Sequence, residues 1–75
     1  MYSEITDLII RRIEKLCKER KITYYRLAKN SGLNTSTLNS ILNGDSKNIK
    51  VDTVKKICTG FNISIKIFFD DTIFD

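Results

Sequence analysis

Gly32 stands between two short apolar patterns of helical period, and no other feature of this 75-residue chain narrows its fold as much. Before it, Thr23 is a helix cap, with Ile22 just outside the cap and Leu27 inside it at the spacing of a hydrophobic staple. Ala28 presents a small side chain to a neighbouring helix, where a larger one would hold the pair apart. Gly32 can adopt the left-handed backbone that ends such a helix without a Cβ penalty. After it, only Leu33 precedes the next cap, Asn34, whose side chain is expected to accept an early backbone N–H. Leu38, Ile41 and Leu42 then face inward, and Gly44 stops the helix. Thr35, Ser36, Asn39, Ser40 and Asn43 are left for the other faces. Two helices joined this tightly make a helix-turn-helix over residues 23–44, a layout whose second helix can lie in the major groove of DNA.

The remaining segments read as helices built around this pair. Ser3 caps a first helix running to about Arg20, with Ile5, Leu8, Ile9, Ile13, Leu16 and Cys17 as one apolar stripe. Ile10 falls off that stripe and is expected to be partly exposed. Arg11, Arg12, Lys15 and Lys18 fall on the other faces, mostly as solvated charges. A polar loop at 45–50 leads to a fourth helix from Val51 to Phe61, with Val54, Ile57, Cys58 and Phe61 inward and Asn62 as a left-handed cap. Asp52 in its first turn suits the helix dipole. The last segment reads two ways. Ile63, Ile65, Ile67 and Phe69 alternate as a half-buried strand does, whereas Ser64 as cap and Ile63 with Phe68 as staple predict a short helix, the reading adopted here.

Composition limits what such a chain can do. At 75 residues it makes one domain over 1–75, burying roughly 60% of the surface its unfolded chain exposes. A deep catalytic cavity is not expected at that size. No apolar run exceeds three residues, far short of a membrane span, and no leader peptide is visible. The expected setting is cytoplasmic. There is no histidine, and the two cysteines, Cys17 and Cys58, sit on separate apolar faces. That reads as buried free thiols rather than a disulfide, with no metal site and no cofactor. Enzyme chemistry fits poorly, since neither a nucleophile–base pair nor a phosphate-cradling glycine loop is present. The net charge is +4, but Asp70, Asp71 and Asp75 concentrate −3 in the last six residues. Residues 1–69 therefore set thirteen basic side chains against six acidic ones, a net of +7. A basic body with a short acidic and apolar tail over 70–75 suits a polyanion partner.

Leu27-Ala28, Gly32-Leu33, Asn34, Leu38, Ile41 and Asn43-Gly44, with Ile57-Cys58 and the run from Asn62 to Phe69, together resemble the Cro/repressor-type (Xre-like) helix-turn-helix family. The resemblance extends from about Ile5 to Asp70. It implies an all-α, five-helix, λ-repressor-like DNA-binding domain acting as a transcriptional regulator, and a repressor by preference. Three departures from the family pattern stand out. Tyr24 stands where many members hold a phosphate with Gln. Cys17 and Leu42 stand where several members pair Arg with Glu, so an apolar contact between the two is expected. Ile67 replaces a Glu often found in the last helix.

Carried over position by position, the resemblance gives Thr35, Ser36, Asn39 and Ser40 the bases to read. Thr23, Tyr24, Asn34, Thr37, Asn43, Lys47 and Lys50 receive the phosphates. The reading side chains are short and include no arginine for guanine, so DNA shape is expected to supplement direct readout. Ile67, Phe69, Ile73 and Phe74 would form a sticky patch that suits a homodimer. Two alternatives stay open on the same fold. One is an antitoxin that binds a toxin and represses its own operon; the other is a protein-interaction module that has given up DNA.

Overall fold

The computed structural model describes residues 4–44 and 49–75, so the expected Ser3 cap and Lys47 lie outside the described residues. Five helices follow in order: α1 (Glu4–Arg20), α2 (Tyr24–Ser31), α3 (Thr35–Leu42), α4 (Val51–Phe61) and α5 (Ile65–Phe69). A 3₁₀ turn, Thr72–Phe74, ends the chain, and no strand occurs among the described residues. The core gathers Ile13, Leu16 and Cys17 from α1, Leu27 and Ala28 from α2, Leu38 from α3, Val54, Ile57, Cys58 and Phe61 from α4, and Phe68 from α5.

Three helices end by one device. Lys21, Gly32 and Asn62 all take positive φ, at 54°, 75° and 60°. The residue after each donates its backbone N–H across the helix end: Ile22 to Cys17, Leu33 to Ala28 and Ile63 to Cys58, at 2.9–3.0 Å. That satisfies carbonyls which would otherwise be orphaned. All three donors are apolar and pack against the core, so each turn is anchored as well as hydrogen-bonded. The sequence predicts this at Gly32 and Asn62, but not at Lys21.

Two helix starts carry the side-chain caps that the sequence predicts. Thr23 Oγ1 accepts the Arg26 N–H and Ser64 Oγ accepts the Ile67 N–H, each at 3.1 Å. The Ser64 bond opens a helix and so excludes the strand reading of 63–69. Asn34 has the extended cap backbone, and its carbonyl accepts from Leu38, yet its side chain makes no capping bond. The backbone alone sets up the start of α3.

Helix α1 corrects the stripe read from its sequence. Ile10 is buried and Ile5 is half exposed. The buried arc takes in Thr6, Ile9, Ile10, Arg12, Ile13, Leu16 and Cys17, wider than a single stripe. Ile5 occupies the first turn and lines an open groove instead.

Arg12 is the larger correction, because it is buried rather than solvated. Its guanidinium donates to the Phe68 and Ile67 carbonyls at the end of α5, and pairs with Asp71 at 3.0 Å. Lys15 Nζ reaches the same carboxylate at 2.7 Å. Asp71 also accepts the Ile73 N–H and so caps the terminal 3₁₀ turn. Arg20, farther along α1, donates to the Phe61 carbonyl at the end of α4 at 2.7 Å. The tail is therefore docked, not free.

Cys17 and Cys58 are both buried free thiols. Burial, and then the nearby charge of Glu14, pushes the Cys17 thiol up to about 11. Leu42 is half-buried and packs against the cluster that contains Cys17. Apolar packing thus occupies the end of α3 where an ion pair was the alternative.

Candidate nucleic-acid interface

Leu38 and Ile41 bury one side of α3, and its polar side faces outward. Ser36, Thr37, Asn39, Ser40 and Asn43 are exposed, while Thr35 is half-buried at the first turn. Ser36, Ser40 and Asn43 follow at i, i+4 and i+7 and so form one line along the helix; Thr35 and Asn39 form a second line beside it. The four candidate base readers therefore share one surface. Every side chain on it is short, which brings the helix backbone close to whatever it meets.

The start of α2 borders the same helix pair. Thr23 is exposed, with its hydroxyl already accepting from Arg26. Tyr24 is 39% exposed. Burial, with additions from Glu14 and Cys17, raises its phenol above the ordinary value, so it stays a neutral donor at physiological pH. Asn34 is exposed at the start of α3, and its uncommitted side chain leaves the first N–H groups there without a side-chain cap. Lys50 is exposed at the start of α4. Lys47 falls outside the described residues.

Charge draws a boundary that single positions miss. Between Glu19 and Asp45 there is no acidic residue, while Arg20, Lys21, Arg26 and Lys29 are basic. Neither α2 nor α3 has an acid in its first turn, whereas α1 has Glu4 and Asp7 and α4 has Asp52. Acids at helix starts are normally favourable. Their absence from these two leaves both positive helix ends open to an anion. Arg26 and Lys29 are exposed on α2, with Lys29 Nζ 5.4 Å from the Tyr25 ring centre. Sequence reasoning passed over them; the acid-free run is the signal that marks them.

A family model for the Cro/C1-type helix-turn-helix DNA-binding domain matches residues 12–69. The chain belongs to this family. No curated protein matches it by sequence. Two solved structures share its fold. One is a point mutant of the restriction-modification controller protein C.Esp1396I, at 24% identity and TM-score 0.83, covering 91% of this chain and 87% of that one. The other is the prophage Lp1 protein 11, at 29% identity and TM-score 0.82, covering 100% of this chain and 97% of that one. The matched span begins at Arg12, which bonds to carbonyls of α5, and ends at Phe69, the last residue of that helix.

The tail residues suggested for self-association divide in two. Ile67 and Phe69 are exposed, but Ile73 and Phe74 are half-buried. Phe74 packs against the core, with its ring 4.9 Å from Phe69 and 6.2 Å from Phe68. Asp71, held by Arg12 and Lys15, folds this end back on the domain. Among the described residues no helix is long and apolar enough to cross a membrane.

Proposed function

We propose that the protein is a transcriptional regulator, a repressor by preference, which inserts α3 into the DNA major groove and acts as a symmetric pair on two half-sites. The observation that carries this reading is the exposed face of short polar side chains on α3, set in an acid-free basic stretch. Thr35, Ser36, Asn39 and Ser40 read base edges at close approach. Thr23, Tyr24, Asn34, Thr37, Asn43, Lys47 and Lys50 hold phosphates and set the register. The match to a Cro/C1-type DNA-binding domain supports a regulatory role, and a restriction-modification controller protein shares the fold. Two copies would present their α3 helices about 34 Å apart, one turn of DNA.

The deciding experiment is titration of the protein into labelled random-sequence duplex at several salt concentrations, read by fluorescence anisotropy. Micromolar binding that weakens steeply with salt is expected. A folded sample that ignores DNA at low salt would remove this reading and favour a protein partner.

A further inference from the structure

The C-terminal half of α1 and the start of α2 border an open groove of about 530 Å³, lined by Glu14, Cys17, Lys18, Ile22, Thr23 and Tyr24. That volume suits a small molecule and far exceeds what one ion or water needs. Cys17 belongs to the core and Ile22 packs against it, so the floor is apolar. Glu14, Lys18, Thr23 and Tyr24 are exposed and form the rim.

The two rim charges are uncommitted. Glu14 and Lys18 stand four residues apart on α1, the order and spacing at which acid and base favour pairing. Asp7 and Arg11 have that spacing on the same helix and do pair, at 3.1 Å. Glu14 and Lys18 take part in none of the ion pairs among the described residues. Burial, and then the Glu14 charge, raises both the Cys17 thiol and the Tyr24 phenol. The carboxylate thus acts on the floor and the rim alike.

We propose that this groove binds a small zwitterion with an apolar body, a free amino acid with a bulky apolar side chain. Glu14 holds its ammonium and Lys18 its carboxylate, while the side chain lies on Cys17, Ile22 and the Tyr24 ring. Thr23 and Tyr24 are also phosphate holders in the DNA reading above. Ligand and DNA phosphate therefore compete for one rim, and the filled groove releases DNA. This competition rests on that reading; the binding itself does not.

Charge complementarity selects this occupant over simpler ones. A phosphate alone leaves Glu14 unexplained, because a carboxylate beside it repels. A metal ion lacks ligands, since no three His, Cys, Asp or Glu gather to hold one among the described residues. A wholly apolar molecule would strip water from both charges and return nothing. A zwitterion satisfies both and covers the floor.

Amide chemical shifts in an NMR titration test the proposal, with L-phenylalanine, L-leucine and L-tryptophan as probes. At least one should bind with a roughly millimolar Kd and shift amides between residues 14 and 24. Phenethylamine, which lacks the carboxylate, and phenylpropionate, which lacks the ammonium, should each bind at least about tenfold more weakly. Glu14→Gln and Lys18→Gln, both at exposed positions, should weaken the amino acid by a similar factor, with circular dichroism as the folding control. No saturable shift with any of the three, shifts confined to other residues, or affinities unchanged in both variants or both analogues would each overturn it.

Random duplex at low salt, with and without saturating amino acid, separates the two readings. The amino acid carries no net charge, so the expected release of duplex is not a salt effect. DNA binding without amino-acid binding defeats the groove alone. Amino-acid binding by a chain that ignores DNA defeats the DNA reading alone, and duplex that stays bound to a saturated groove defeats the competition.

Discussion

Gly60 on α4 approaches Ser31 on α2 so closely that a Cβ added at Gly60 would overlap the Ser31 hydroxyl oxygen and lie 3.1 Å from Leu27 Cδ1. In an ordinary helix interior, exchanging Gly for Ala stabilises by about 1 kcal/mol. Here the sign should reverse. Gly60→Ala is expected to destabilise by about 2 kcal/mol, because α2 and α4 have no room to part without opening the core. Ser31 Oγ is buried with no hydrogen-bond partner among the described residues. Ser31→Ala should therefore be neutral or stabilising, and should recover part of the Gly60→Ala loss. Urea denaturation of the single and double variants measures this; strict additivity would show that the two sites do not meet.

Removing the Arg12 guanidinium takes the side-chain donor from the Phe68 carbonyl, and leaves the Ile67 carbonyl to the Asp70 N–H and the Asp71 carboxylate to Lys15 and the Ile73 N–H. Arg12→Ala should cost about 3 kcal/mol. Lys15→Ala, which removes the exposed partner of the same carboxylate, should cost under about 1 kcal/mol. Equal losses would place the ion pair at the surface rather than in the joint.

The pH dependence of the joint has a definite sign. The Lys15 bond, then the Ile73 N–H, holds the Asp71 carboxyl below its usual 3.8. A depressed folded-state value means that the stabilisation is complete above the unfolded value and disappears as pH falls through the folded one. Acid unfolding followed by circular dichroism should show wild type losing stability below about pH 4, with a shallower slope in Asp71→Asn. Matching slopes would mean that the carboxylate contributes nothing specific.

In the proposed interface Tyr24 is a neutral phosphate donor, so its loss should differ from that of a lysine. Tyr24→Phe should weaken binding to all duplexes by about 1 kcal/mol and leave the salt slope unchanged. Lys50→Ala or Lys47→Ala should reduce the slope by about 0.9. Ser36→Ala and Ser40→Ala should change sequence preference instead, as read by selection from a random pool. A changed preference in Tyr24→Phe would move it to the base-reading set.

The Cys17 thiol, raised to about 11 by burial, should react with a disulfide reagent only through opening of the domain. Its native-state labelling should be slow at pH 8, and denaturant should accelerate it steeply. Rapid labelling without denaturant would place Cys17 at the surface.

The parts of this fold legible in the sequence are those that neighbours within five residues decide. Thr23 with Leu27, Gly32 with Leu33, and Ser64 with Phe68 each state a helix end in local terms, and the structure uses all three. Arg12 could not be read that way, because its partners lie 55 to 59 residues on. Nor could the exchange of Ile5 for Ile10, which depends on where α4 and α5 leave α1 uncovered. Asn34 illustrates another limit, since residue type permits a capping bond without obliging the side chain to make one. For the candidate interface, family resemblance named positions on α3, while the acid-free stretch that also marks Arg26 and Lys29 is written in plain composition.

Arg12 and Arg20 stand eight residues apart on α1, and each closes the end of a different later helix. The first helix of the chain thus holds the last carbonyls of α5 and α4. Opening the C-terminal half without releasing α1 would break both sets of bonds and strip the buried Arg12 guanidinium of its acceptors. Amides of α1, α4 and α5 should then exchange with solvent deuterium as one unit, while the exposed polar side of α3 lies outside those ties. The exposed face of α3 proposed to touch DNA can adjust its side chains without disturbing the ties that join α1, α4 and α5.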